Sequence, residues 1–346
     1  MKMLDLSPVL SPFGLLDDGH GPQPAETLHV SRLSGGLIND TFALGRHFVL
    51  QRLHRIFQPQ VNLDIAALTP VLAAAGVPVP RIVLAKSGEP WVEFDDPDSE
   101  WGGAWRILTR LPGDTLHRLS SPQQAENAGE MVARFHTALR DSQHRFHFTR
   151  PGAHDTHGHF RTLEAALAEH VGHRLHAHVA ELAAELHIRW QAWGEIPQLP
   201  ERVIHGDLKV SNLLFTGEDV VGVLDLDTMA RSSLDVELGD ALRSWCNTTT
   251  EDDPQPKFDL ATYKAAQRGY LRVAGAWLTS EERAAIGPGV ERICLELSAR
   301  FAADALNEKY FGWNPAKFST RGEHNLARAR NQLGLARDVA KVRADL

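Results

Sequence analysis

The spacing of hydrophobic positions changes character near residue 112. Between Leu28 and Leu111 short β-type runs, LHVSRL, TFAL, HFVLQRL, RIVLA, WVEF and WRILTRL, alternate with turn residues. That alternation predicts a small, mostly antiparallel sheet. Leu63, Ala66, Ala67, Val71 and Leu72 interrupt it at helical spacing before Gly76, Pro78 and Pro80, which predicts one inserted helix from about Val61 to Ala75. Asp95 to Gly103 reads as an exposed hairpin loop. Beyond Gly113 the period is helical. Ser121, Pro122 and Gln124 supply a cap, a first-turn proline and a capping-box glutamine, and Ala125, Ala128, Val132, Phe135 and Leu139 form one apolar face. Leu163, Leu167, Val171, Leu175, Val179, Leu182 and Leu186 continue that period through a second helical segment, and the chain again reads mainly helical from Tyr263. The plan is therefore α+β, with a β-rich N-terminal part, residues 1–111, and a helical C-terminal part, residues 112–346, joined near Leu108 to Gly113.

Composition narrows the partners. The chain has 346 residues, 43% hydrophobic and 23% charged, enough for two packed domains and unlike a disordered or fibrous chain. A net charge of −8 argues against a nucleic-acid partner, because binders of the phosphate backbone carry a basic face. Two cysteines, Cys246 and Cys294, cannot make a disulfide framework, which points to a reducing compartment. Met1 to Asp17 has no signal-peptide pattern, and no run approaches the ~18 apolar residues of a membrane span. The expectation is a cytoplasmic protein with no membrane partner.

The chemistry concentrates in VIHGDLKVSNLLFTGEDVVGVLDLD, Val203 to Asp227. Apolar β-runs flank His205, Asp207, Lys209 and Asn212 and then lead to Asp225. Acids placed among apolar strands need a partner, and Asp207, Asn212 and Asp225 offer hard oxygens suited to Mg2+ and phosphate. The order matches the protein-kinase pattern of an H-x-D loop, a following Asn and an Asp after the next hairpin. On that pattern Asp207 is the catalytic base, Asn212 and Asp225 hold the metal, and Lys209 neutralises charge on the transferred phosphoryl group. Asp227 is expected on the same strand face as Asp225, as a further metal or supporting group.

HGDLKVSN followed by VLDLDT resembles the aminoglycoside phosphotransferase and choline kinase superfamily. The resemblance implies a protein-kinase-like two-lobe fold, with a small antiparallel N-lobe that covers ATP and a larger helical C-lobe that binds the acceptor. Ser34, Gly35 and Gly36 would then form the nucleotide-covering loop, although neither G-x-G-x-x-G nor a Walker motif is present. Adenine would bond to backbone near Thr109 to Leu111, so both residues are cofactor-site candidates. The strand lysine of many kinases is replaced by Gln51 and Arg52; Arg52 is favoured because only a cation restores that charge, with Asp64 as its candidate partner. Glu237, Gly239, Asp240 and Arg243 resemble the acidic motif after the metal-binding hairpin, with a structural role expected. More narrowly, SGGLINDTF, FVLQRLH, GDALRSWCNTT, RFAADALNEKYF and EHNLARARNQLGL resemble bacterial N-acetylhexosamine 1-kinases. This implies phosphorylation of a sugar at its anomeric hydroxyl and makes Arg300 and Tyr310 candidate acceptor contacts.

Other readings stay open: kinases of other small alcohols (aminoglycosides, choline-like or amino-acid alcohols), a degenerate nucleotide-binding module, and a phosphoesterase built on His205, Asp207, Asp225 and Asp227. Eleven of the eighteen histidines fall between His136 and His187. The pairs His170 with His173 and His173 with His176 are expected on one helix face as solvated residues rather than a zinc site, since no thiolate joins them.

Overall fold

The computed structural model describes residues 6–15, 29–33, 39–95 and 99–346. It divides into two compact units. The smaller comprises Met1–Asp114, Asp141–Thr149 and Val221–Met229, and the larger comprises Thr115–Arg140, Arg150–Val220 and Ala230–Leu346.

In the smaller unit, β1 (Val30–Arg32), β2 (Asp40–Leu44), β3 (Phe48–Arg52), β4 (Ile82–Val83), β5 (Val92–Phe94) and β6 (Gly103–Thr109) form one sheet. Its order is β1-β2-β3-β6-β4, with β5 also on β6, and every pairing is antiparallel. Each expected β-run carries one of these strands. Leu50 of β3 stands opposite Ile107 of β6, and both belong to a core with Leu44, Trp105 and the short helix α1 (Ser7–Leu10). The inserted helix is α2 (Val61–Ala74), ending before Gly76 at φ 73°. Its buried face includes Asn62 and Asp64, polar groups that must find partners inside. Positions 34–38 and 96–98 lie outside the described residues, and with them Ser34, Gly35, Gly36 and part of the expected 95–103 loop.

The unit boundary falls within β7 (Asp114–Thr115) and again between Val220 and Val221. The larger unit carries α3 (Pro122–Leu139), α4 (Thr156–Glu169), α5 (His176–Trp193), β8 (Arg202–Ile204) and β9 (Leu213–Thr216). After β10 (Asp219–Val223) come β11 (Ala230–Ser232), α6 (Leu234–Trp245), α7 (Leu260–Ala274), α8 (Ser280–Asn307) and α9 (Arg321–Val342). β11 pairs antiparallel with β8, at the entrance to the HGDLKVSN loop. α6 lies directly on α8. A Cβ added at Gly239 would stand 2.6 Å from the Gly289 carbonyl oxygen, and one at Gly289 would stand 2.3 Å from that of Asp235. A larger residue at either glycine would therefore push α6, and every side chain it aims, away from its seat.

Three local expectations change. The single helical segment after Leu163 is two helices, broken between His170 and Leu175, and Val171 is 68% exposed in the break. The apolar period continues across it by coincidence of spacing. At the start of α3, Ser121 Oγ accepts from the Gln124 N–H as expected, but the Gln124 side-chain oxygen reaches the N–H of Ser120 rather than that of Ser121. His170 and His173 sit in the interhelical break with ring centroids 6.4 Å apart, so they share no helix face. His170 Nε2 bonds Asn307 and His176 Nε2 the Leu167 carbonyl.

Candidate active site

The HGDLKVSN loop is held by polar groups that satisfy one another, His205 and Asn212 buried and Asp207 and Lys209 partly exposed. His205 is fully buried and packs against Phe135, with ring centroids 6.0 Å apart. Its backbone N–H donates to Glu237 Oε1 at 2.7 Å, and that of Gly206 donates to Glu237 Oε2 at 2.9 Å. Gly206 takes φ 82°, which an L side chain disfavours, so consecutive amides can both aim at one carboxylate. The Leu208 carbonyl accepts from the Trp245 indole at 2.7 Å. α6 therefore braces the loop at two places, and Glu237 is the structural acid expected from the sequence.

The loop presents Asp207. Lys209 Nζ donates to Asp207 Oδ2 at 2.6 Å, and Asn212 Nδ2 donates to the same oxygen at 3.1 Å and to the Asp207 carbonyl at 2.7 Å. Two donors thus fix the carboxylate's orientation, and none of the described residues donates to Oδ1. Because the Asn212 amide nitrogen is committed to Asp207, its oxygen is the atom left to ligate a cation.

Glu237 is buried, which pushes its carboxyl pKa up, but the hydrogen bond from His136, the electrostatic pull of the His136 and His205 rings and the His205 backbone N–H outweigh burial and hold it below its ordinary value. One helical turn further along α6, Asp240 pairs with Arg243 at 2.8 Å. Burial raises and Arg243 lowers the Asp240 pKa, with a net lowering. His154 bonds the buried Glu296 at 3.0 Å; burial opposes its protonation, yet the Glu296 carboxylate carries its pKa upward. Arg300 lies over the Phe311 ring, 5.6 Å from its centroid, and Tyr310 is 60% exposed with its hydroxyl accepting from Arg150. The turn that carries both aromatic rings is tied by three backbone N–H groups, those of Lys309, Tyr310 and Phe311, donating to Asp304.

In the smaller unit Asp225 does not continue a strand. It has φ 61° and ψ 58°, in the left-handed region, and precedes a 3-10 turn over Leu226–Thr228. Asp225 is therefore exposed while Asp227 is buried, which corrects the expectation that they share a strand face. Both Asp227 oxygens are occupied: Oδ1 by Arg106 at 2.5 Å, and Oδ2 by Arg106 and Asn39, each at 2.8 Å. Asp225 in the smaller unit and Asn212 in the larger each carry a hard side-chain oxygen of the type that magnesium takes.

The nucleotide-side expectations also shift. Arg52 donates twice to Asp40, at 2.6 and 3.0 Å, and lies over Trp105, so its charge is spent on a half-exposed pair. Asp64 is not its partner. Asp64 Oδ1 accepts from His144 Nε2, His147 Nδ1 and the His147 backbone N–H, and Oδ2 accepts from the Phe148 N–H. Among the described residues these three side chains are the one group spaced for a metal, but N–H donors already saturate the carboxylate. The Thr109 N–H is committed to the Arg81 carbonyl, whereas Leu111 makes no hydrogen bond with the described residues. The residue that sequence reasoning missed is Arg106. Its trace was an arginine inside the apolar run WRILTRL, where a buried cation demands a partner.

Residues 29–276 match the family model described as "Phosphotransferase enzyme family". A homoserine kinase of Rhodopseudomonas palustris (strain BisB18) is 30% identical over 224 residues, covering 62% of this chain and 64% of that protein's length. Among solved structures, the amicoumacin kinase hAmiN in complex with AMP-PNP, Ca2+ and Ami aligns with a TM-score of 0.60 at 16% identity, over 90% of this chain and 89% of that one. An aminoglycoside phosphotransferase from Alicyclobacillus acidocaldarius aligns with a TM-score of 0.60 at 16% identity, over 98% and 96%. These alignments bear out the kinase-like two-lobe α+β fold. Among the described residues no helix is long and apolar enough to cross a membrane.

Proposed function

The chain belongs to the phosphotransferase enzyme family, and on that premise we propose that it transfers the γ-phosphate of ATP, with magnesium, to a hydroxyl of a small molecule. The observation that carries this reading is the fixed carboxylate of Asp207, oriented through Oδ2 by Lys209 and Asn212 while Oδ1 is left to accept a proton. The acceptor oxygen attacks the γ-phosphorus, its proton passes to Asp207, and the bond to the β-phosphate breaks to release ADP. Lys209 offsets charge building on the phosphoryl oxygens, and His205 holds the loop through its buried ring and its N–H. Asn212 and Asp225 are the candidate magnesium ligands, and the ion, when bound, would neutralise phosphate charge. Little covalent chemistry is asked of the protein, so its contribution is positioning and charge. Adenine would bond to the Leu111 backbone rather than to the Thr109 N–H.

For the acceptor, the anomeric hydroxyl of an N-acetylhexosamine comes first, supported by the segments from Ser34 to Leu335 and by Arg300, whose guanidinium can donate to hydroxyls or an acetamido oxygen. Homoserine comes second, supported by the curated relative and by the same cation's fit to a carboxylate. Incubation with Mg·ATP and a panel of N-acetylglucosamine, N-acetylgalactosamine, homoserine, choline and an aminoglycoside, read by ADP release and 31P NMR, decides between them. ADP release with none of the panel, above the rate without acceptor, would leave nucleotide binding without transfer.

A further inference from the structure

We propose that Arg106 is a positioning residue: by clamping Asp227 it holds Asp225, two residues earlier, in the left-handed conformation that exposes its carboxylate to a metal ion. The inference rests on the kinase reading above, and every residue it uses lies in the smaller unit.

The guanidinium of Arg106 is 2% exposed and all five of its N–H donors are used. Nε and Nη2 donate to Gln51 Oε1 at 3.0 and 2.7 Å, Nη1 donates to Asn62 Oδ1 at 3.1 Å, and Nη1 and Nη2 grip the two oxygens of Asp227. Gln51 stands directly opposite Arg106 across β3 and β6, and its amide nitrogen donates to Thr41, which turns its oxygen toward the guanidinium. Gln51, the neutral neighbour of Arg52 on β3, is thus an acceptor, and the buried cation comes from the neighbouring strand β6. It is too buried to reach phosphate and acts on the protein instead.

Its effect falls on the 225–227 turn. A non-glycine residue at φ 61° is held against a preference of roughly 1–2 kcal/mol for other backbone regions, and such residues persist where the surroundings over-determine them. Here the bidentate grip on Asp227, with Asn39 as a third donor, is that constraint. For stability alone an apolar pair would serve as well, since burying two charges costs about what their attraction returns. What the ion pair adds is a fixed register for the turn.

Calorimetry on the full chain, titrating ADP with and without magnesium, tests this. Arg106→Met and Asp227→Asn should each reduce the magnesium-dependent gain in ADP affinity by 10-fold or more, with metal-free affinity within 2-fold of wild type. Arg106→Lys, which keeps the charge but not the fork, should recover part of the gain. Should Arg106→Met fail to fold, Arg106→Lys and Asn39→Ala decide, with expected losses of 2- to 5-fold. Equal losses with and without magnesium would reveal a merely structural role and overturn the proposal, as would a folded variant with the gain unchanged. A wild type that gains no ADP affinity from magnesium would overturn the kinase reading itself.

Discussion

Replacing Glu237 by glutamine isolates the brace on the candidate catalytic loop. The two backbone donors go to different oxygens, His205 to Oε1 and Gly206 to Oε2, and His136 Nε2 adds a third contact at 3.2 Å. A glutamine has one acceptor oxygen and one NH2 group, so either rotamer leaves one buried backbone N–H facing another donor. An unsatisfied buried donor costs about 1–3 kcal/mol. A local loss of about 2 kcal/mol corresponds to roughly 30-fold faster exchange of the loop amides. Hydrogen exchange of the 203–212 peptide by mass spectrometry reads this directly. pH adds a second arm. The Glu237 carboxyl lies below its ordinary value in the folded state, so its contribution is present above pH 4.5 and is lost as pH falls through the folded value. The wild-type loop should therefore lose protection in acid toward the level of Glu237→Gln, whose own protection does not depend on this titration. Loop exchange within 2-fold of wild type at pH 7 would refute the brace.

Three further outcomes follow from the same geometry. Asp225→Ala should weaken nucleotide binding only when magnesium is present, and equal affinities across a magnesium titration would remove Asp225 from the site. Arg300→Ala and Tyr310→Phe should raise the acceptor KM and leave the ATP KM nearly unchanged; unaltered steady-state constants for the acceptor in both variants would remove Arg300 of α8 and the turn that carries Tyr310 from its pocket. Glu185, bonded by Arg337 and Arg189, has its carboxyl lowered to about 2, first by the Arg337 bond and against its partial burial. Glu185→Gln should cost at most about 1 kcal/mol at pH 7, because the pair is solvent-screened, and the difference from wild type should shrink as pH falls from 4.5 toward 2. Urea midpoints at pH 7 and pH 3 check this.

How far the sequence could be read depended on whether an interaction is local. The β-runs gave strands because alternation is a property of a few neighbouring residues, and Gly76 marked the end of α2 for the same reason. The Asp207–Lys209–Asn212 cluster was legible because its members are adjacent in the chain. Arg106 with Asp227, and Asp64 with His144 and His147, were not, because each joins residues far apart in sequence and no single window contains both partners. Arg52 misled for the complementary reason: its β-strand position was right, but Asp40 on the adjacent strand takes its charge. The break between α4 and α5 was hidden by leucines that kept helical spacing across it. Asp227 was misplaced because strand periodicity assumes extended backbone, and Asp225 leaves that conformation.

The central claim is that Asp207 accepts the acceptor's proton during phosphoryl transfer. Its most direct test is steady-state turnover of Asp207→Asn with the acceptor identified by the panel, beside ADP binding by the same protein. Losing a positioned general base should lower kcat by ~10²-fold or more while nucleotide affinity stays within a few-fold of wild type. Near-normal kcat in Asp207→Asn would contradict the account.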